Sequence, residues 1–279
     1  MVKIIDAIQM IIEKSQAQAV DETKTIDQVI IGDVNQELTG IVTTFMATID
    51  VIKEADQLGA NFIITHEPTW FNGRDRTAWL LEDAVYEEKL ALIKSKGITI
   101  WRFHDYMHMG EKDLIYAGFE EALGWKGKTL TKNPASTNIL DRSEICYEIE
   151  EMASRELIEQ LKNALGNEPV RFIGAKDARS KRIGVLLGGS SLGLGDETNP
   201  MQLIQARELD TVICGDITEW TISAYIRDAV QLGQNKSMIV LGHERSEEIG
   251  MKALNKWLEG LSLGTAIHFV DSKEPFEYC

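Results

Sequence analysis

One local pattern recurs along the chain and limits its folds more than any other feature. A helical stretch ends at a glycine, a short β-branched apolar run follows, and a polar residue stands directly after the run. Residues 49–58 (IDVIKEADQL) read as a helix closed by Gly59, and residues 61–65 (NFIIT) as a buried strand ending at His66. Residues 77–96 read as a long helix closed by Gly97, and residues 98–103 as a strand ending at His104. A strand over 40–47 precedes both, and a helix over 114–123, closed by Gly124, follows them. This βαβα order predicts an α/β fold with an at least partly parallel sheet.

Residues 127–138 (GKTLTKNPASTN) are polar and turn-rich, the composition of a domain boundary or crossing linker. Beyond them, strands are predicted over 145–149, 182–187, 211–214, 238–241 and 267–270. Helices are predicted over 154–165, 200–208, 222–232 and 247–261. An internal echo joins the two parts. Residues 54–68 and 201–217 each read as a helix, then a four-residue apolar strand ending at a charged residue, Glu67 and Asp216 respectively. Two related α/β halves explain the echo; so does the general likeness of βα units.

The first sixteen residues carry Ile4, Ile5, Ile8, Ile11 and Ile12 at helical spacing, interrupted by Asp6, Glu13 and Lys14. That is an amphipathic helix and not a signal peptide. No apolar run reaches the ~18 residues of a membrane span, so a cytoplasmic protein without a membrane partner is expected. The formal charge of −15 argues against nucleic-acid binding, which needs clustered Lys and Arg. Cys146, Cys214 and Cys279 show no CxxC spacing, which fits a reducing compartment and no thiolate zinc site.

The histidines carry the chemistry. His66, His104 and His243 each follow a predicted strand, where open α/β sheets collect ligands. His108 lies four residues after His104, Glu67 directly after His66, and Glu247 four residues after His243. Imidazoles and carboxylates together suit Zn, Fe, Mn or Co, and six such groups suffice for two divalent transition-metal ions, with Glu247 able to bridge them. Spacing alone leaves a second reading open: hydrogen-bonded strand-end histidines and a solvated acidic helix start over 244–248. The run 188–195 (GGSSLGLG) reads as a glycine turn or a phosphate cradle, and Trp70 and Phe71 as core aromatics or pocket walls. Asp216 and Glu219 are candidates to orient ligand histidines.

At these residues the sequence resembles the NIF-three-like family, also known as GTP cyclohydrolase I type 2. Three blocks carry the resemblance: Ile49-Asp50-Val51 with GANFIITHEPTWF (59–71); FHDYMHMG (103–110) with Ala122-Leu123-Gly124; and Gly188-Gly189-Ser190-Ser191, Gly215-Asp216 and His243 through Glu247. The resemblance implies two similar α/β domains with mixed sheets, a dinuclear metal site in the cleft between them, and a ring-shaped homohexamer. It implies domains over 1–126 plus about 235–279, and over 127–234, with no inserted third domain. Carried over by position, the metal ligands are His66, Glu67, His108, His243 and Glu247, and His104 is the candidate catalytic group for proton transfer.

Two positions depart from the family pattern. Glu67 stands where the family has the second His of a pair, and His108 stands where it has the Asp of HTxxD. The double exchange keeps three His and two carboxylates, so ligand charge is conserved. The expected function is metal-dependent hydrolysis of a small molecule such as a nucleotide or phosphate ester. The alternative is a non-catalytic metal-binding regulatory or interaction protein.

Overall fold

The computed structural model describes residues 2–17, 20–21, 23–166 and 169–279. The predicted first helix begins inside its expected span, and Met1 lies outside the described residues.

The chain divides into two compact units, Met1–Gly118 with Gly250–Cys279, and Phe119–Ile249. In the first unit α1 (Ile4–Ser15), β1 (Val29–Ile31), β2 (Ile41–Thr44), α2 (Ile49–Gln57), β3 (Phe62–Thr65), α3 (Ala84–Lys96), β4 (Thr99–Arg102) and α4 (Asp105–His108) follow in order. The helix α5 (Leu114–Leu123) then leads to the second unit, with β5 (Cys146–Ala153), α6 (Ser154–Leu165), β6 (Arg171–Ile173), β7 (Arg179–Leu186), α7 (Asn199–Arg207), β8 (Thr211–Cys214), α8 (Ile222–Gln231) and β9 (Ser237–Val240). The helix α9 (His243–Glu259) and strand β10 (Ile267–Phe269) complete the chain.

Each unit is built on one five-stranded mixed sheet. The first has the order β1-β4-β3-β2-β10, parallel except for β1; the second has the order β5-β7-β8-β9-β6, antiparallel at both edges. The central strands are buried on both faces, which is why they read as continuous apolar runs and not as alternating ones. In the first sheet Val42, Ile63 and Ile100 stand in register and pack with Val51, Ile52, Ala55 and Ile93. The second sheet buries Ile183, Val212, Ile213 and Ile239 together with Leu157, Leu203 and Ile226.

Several expectations are sharpened. The helix expected over 77–96 is a 3-10 turn at Ala78–Leu80 followed by α3. Glu82 takes φ +73°, and the Asp83 side chain accepts the Tyr86 N–H at 3.0 Å, so a fresh N-cap starts the second piece. The edge strands β1 and β6, three residues each, and the short α4 were not foreseen. The expected domain limits of 126/127 and about 234/235 compare with structural divisions at Gly118/Phe119 and Ile249/Gly250. The two schemes differ over β9, which pairs with β8 and β6 in the second unit's sheet. Both structural divisions fall inside helices, α5 and α9, where composition leaves no mark. No helix among the described residues is long and apolar enough to cross a membrane.

Candidate metal centre

In the first unit the carboxyl ends of β2, β3 and β4 are tied together. Phe45 O accepts from the backbone N–H of His66 (3.0 Å) and of Glu67 (2.8 Å), and Phe103 N–H donates to Thr65 O at 2.8 Å. These bonds place His66 and His104 side by side on adjacent strand ends. His104 then serves as N-cap of α4, so His108, four residues on, lies on the same helical face. Asp27 explains why so short a helix forms. Its Oδ1 accepts from His104 N (2.8 Å) and Asp105 N (2.8 Å), and its Oδ2 from Tyr106 N (3.0 Å), which satisfies three N–H donors at the helix start that have no partner within the helix.

The three imidazoles form a cluster. His66 stacks on His104 with ring centroids 4.5 Å apart, and His108 stands edge-on at 5.0 Å from His66 and 4.8 Å from His104. One ring nitrogen from each lies within 4.8 Å of the others. Carboxylates hold the opposite nitrogens: Asp105 Oδ1 is 2.9 Å from His104 Nδ1, and Asp113 Oδ2 is 2.9 Å from His108 Nδ1. Asp105 is itself fixed by Thr25 Oγ1 (2.8 Å) and Ile26 N (3.1 Å). Carboxylate–imidazole pairs of this kind fix the tautomer and direct the lone pair of Nε2.

Electrostatics favour neutral His66. Burial lowers its pKa well below the ordinary value, and the neighbouring positive charges of His104, His108 and Arg102 push the same way. The His104 hydrogen bond, with Thr25 and Ile26, holds the Asp105 carboxyl far below the usual range against its desolvation. Asp27 is raised by burial, which outweighs the three N–H groups it accepts.

Glu67 has a partner that the sequence reading missed. Arg102, a buried cation at 2% exposure, donates from Nη2 to Glu67 Oε2 at 3.0 Å, from Nε to His66 O at 3.0 Å and from Nη1 to Gly73 O at 2.9 Å. The other carboxylate oxygen of Glu67 lies 3.8 Å from His104 Nε2. The signal was available, since an arginine inside a β-branched run two residues before His104 is out of place unless paired.

The second unit holds the other pair of expected ligands. The helix α9 starts at His243 and not at Glu247, so both lie on its first turns, with His243 Nε2 3.1 Å from Glu247 Oε2. Asp216, after β8, meets His243 Nδ1 at 2.8 Å, as the sequence suggested. The glycine loop is a 3-10 turn, Gly188–Leu192, packed against this pair. Gly188 takes φ +51°, its N–H donates to Ser246 Oγ (2.9 Å), and a Cβ there would sit 1.8 Å from Glu247 Oε1. Close approach to Glu247 therefore accounts for this glycine.

The donor chemistry of the His66, His104 and His108 cluster fits a borderline transition metal. Imidazole nitrogens backed by carboxylates suit Zn, Fe, Mn or Co, whereas Ca²⁺ and Mg²⁺ prefer oxygen cages. Fold and site together define an α/β protein of two mixed-sheet units with His/carboxylate groups able to bind metal. The chain belongs to the Duf34/NIF3 (NGG1p interacting factor 3) family, which it matches over residues 1–275. It is 27% identical over 259 residues to a GTP cyclohydrolase 1 type 2 homolog of Clostridium perfringens, covering 89% of each chain. A second homolog of that name, from Clostridium acetobutylicum, is 25% identical over 232 residues, covering 83% of this chain and 80% of the relative. Among solved structures, Staphylococcus aureus protein SA1388 superposes with a TM-score of 0.75 at 20% identity, covering 100% of this chain and 99% of that one. A Bacillus cereus protein related to NIF3 gives 0.74 at 16% identity, covering 100% and 99%.

Proposed function

We propose that the chain is a divalent-transition-metal-dependent hydrolase of a small molecule, with one ion at His66, His104 and His108 and a second at His243 and Glu247. The observation that carries this reading is the three-imidazole cluster whose Nδ1 atoms at His104 and His108 are held by Asp105 and Asp113. A bound ion there would supply a Lewis acid and an acidified water.

The residues have separate tasks. His66 is kept neutral by burial, the form that binds metal. Asp27 holds the start of α4, and so the spacing of His104 and His108. Arg102 fixes Glu67 by Oε2, and Oε1, on the His104 side, takes the proton of an attacking water. In this reading His104, expected as the proton-transfer group, binds metal, and Glu67, expected as a ligand, handles the proton. The family match and the relatives' cyclohydrolase name support hydrolysis.

Elemental analysis of the reconstituted protein tests the proposal. About two equivalents of transition metal are expected, falling to about one in His104→Ala and in His108→Ala. Glu67→Gln is expected to keep its metal and lose hydrolysis of bis(p-nitrophenyl) phosphate and nucleotides. A protein that stays metal-free on reconstitution refutes the reading.

A further inference from the structure

The loop after β3 holds an aromatic side chain in a costly conformation. Phe71 takes φ +61°, a region where a bulky side chain is strained, yet the residue is 55% exposed. Its neighbour Trp70 is a core residue, edge-on to Tyr86 at 4.8 Å. The two aromatics, equivalent in the sequence, thus have different roles.

Several side chains hold the loop in this shape. Asp75 Oδ1 accepts Trp70 N–H at 2.7 Å. Asn72 Nδ2 donates to Trp70 O and Arg76 O, both at 2.9 Å, and its Oδ1 accepts Arg76 N–H at 3.0 Å. The buried Lys89 Nζ donates to Thr69 O at 2.9 Å and lies 5.3 Å from the Phe71 ring centroid. Arg102 bonds Gly73 O and Glu67 Oε2 through one guanidinium, so the tip of the loop and the carboxylate beside the histidine cluster move as one. Strain this well supported at a site marks a display position.

Two further observations point to the occupant. Arg74 and Arg76 are exposed on the same loop, while the carboxylate between them is turned inward to Trp70 N and toward Arg102. In a chain of net charge −15 this is a local cationic rim. The second unit repeats the placement: Trp220 stands four residues after Asp216, as Phe71 stands four after Glu67, each after the central strand of its five-stranded sheet, and Trp220 is 75% exposed.

We propose that Phe71 is a stacking platform for a flat heteroaromatic ring of the substrate, and that Arg74 and Arg76 attract an anionic group borne on that substrate. The proposal rests on the hydrolase reading for what happens to the ligand, not for how it is held.

Adenosine 5′-monophosphate is the probe, and ribose 5-phosphate is the control with the same anion and no aromatic ring. Saturable quenching of Phe71→Trp fluorescence by the nucleotide and not by the control is expected. Phe71→Gly is expected to weaken nucleotide binding about tenfold, a typical value for one lost base–aromatic stack, and to leave the control unchanged. Glycine is unstrained at this φ, so Phe71→Gly is expected to melt no lower than the wild type. Unquenched fluorescence, unchanged nucleotide affinity in Phe71→Gly, equal losses for both ligands, or a fall in Tm accompanying the loss overturns the proposal. Metal content is measured on the same samples. A metal-free protein that binds the nucleotide through Phe71 removes the hydrolase reading and keeps the platform, and a metal-loaded protein indifferent to Phe71→Gly does the reverse.

Discussion

Gly188→Ala is expected to separate the proposed metal binding from folding at a single carbon atom. A Cβ at this position would lie 1.8 Å from Glu247 Oε1, 2.5 Å from its Cδ and 2.9 Å from His243 Nε2. Ordinary contact begins at 3.4 Å, so the carboxylate must withdraw by about 1.6 Å. The group that yields is the end of a side chain, which keeps the steric cost to the fold small. The φ of +51° adds strain of about 1–2 kcal/mol, a fall of a few degrees in Tm. The contact of 3.1 Å between His243 Nε2 and Glu247 Oε2 is lost, and displacing a donor in this way is expected to weaken metal binding about 10- to 100-fold. Competition with a chromophoric chelator reads the affinity, and a thermal melt reads the fold. Gly189→Ala is the control, because a Cβ there meets nothing within 4 Å. Wild-type affinity for both equivalents in Gly188→Ala, or equal loss in Gly189→Ala, would refute the reasoning.

Three other perturbations test the supports of the fold and site. Arg102→Met removes a buried cation and leaves Glu67 and Asp75 without it; a loss of about 3–5 kcal/mol is expected by chemical denaturation, and a loss under 1 kcal/mol counts against the pairing. Burial lowers the Lys89 pKa to about 8 from 10.5. Between these values the unfolded chain binds more protons, so the cost of burying the charge is full below pH 8 and fades as the pH rises toward 10.5. The stability of wild type relative to Lys89→Met should therefore improve across that window, by at most about 3 kcal/mol; a flat difference contradicts it. In the second unit the hydroxyls of Ser154, Ser180, Thr211 and Ser237 close a buried ring with contacts of 3.2, 2.7, 2.8 and 3.2 Å. Thr211→Val should cost about 1–3 kcal/mol, and Thr211→Val with Ser237→Ala less than the sum of the two, by equilibrium denaturation.

What the sequence disclosed and what it hid follow from the range of the forces involved. The helices α2, α5, α6 and α8 and the strands β3 and β8 were legible because burial on one or both faces leaves a periodic or continuous apolar record. The helix α4 left none: four residues are too short for a period, and its start depends on Asp27, 77 residues before His104. The strands β1 and β6 have three residues each and take their place from neighbours far along the chain. The same limit applies to the site. His66, His104 and His243 announced themselves at strand ends, but Asp105 and Asp113 are ordinary loop and helix acids until the fold turns them to Nδ1. Arg102 stands out as an arginine inside an apolar strand, but its partners, Glu67, His66 O and Gly73 O, were hidden because they lie 29 to 36 residues away.

The internal echo gives the two exchanged residues, Glu67 and His108, a structural logic. In each unit three parallel strands are joined by helices, β2-α2-β3-α3-β4 and β7-α7-β8-α8-β9, and a helix begins within three residues of the last strand. At that point each unit places two donors four residues apart, His104 and His108 in one, His243 and Glu247 in the other. Helical spacing puts both members of each pair on one face whatever their identity, so the backbone fixes the positions and the side chains set only the charge. An imidazole at 108 removes one negative charge from its pair. Glu67 restores a carboxylate nearby, but Arg102, absent from the second unit's equivalent position at Val240, offsets it. The first unit is thereby left with a less anionic set of side chains than the residue inventory alone suggests. Three imidazole nitrogens favour nitrogen-preferring ions such as Zn²⁺ and Co²⁺ over Mg²⁺, whereas Glu247 with Asp216 behind His243 gives the second unit the more anionic set.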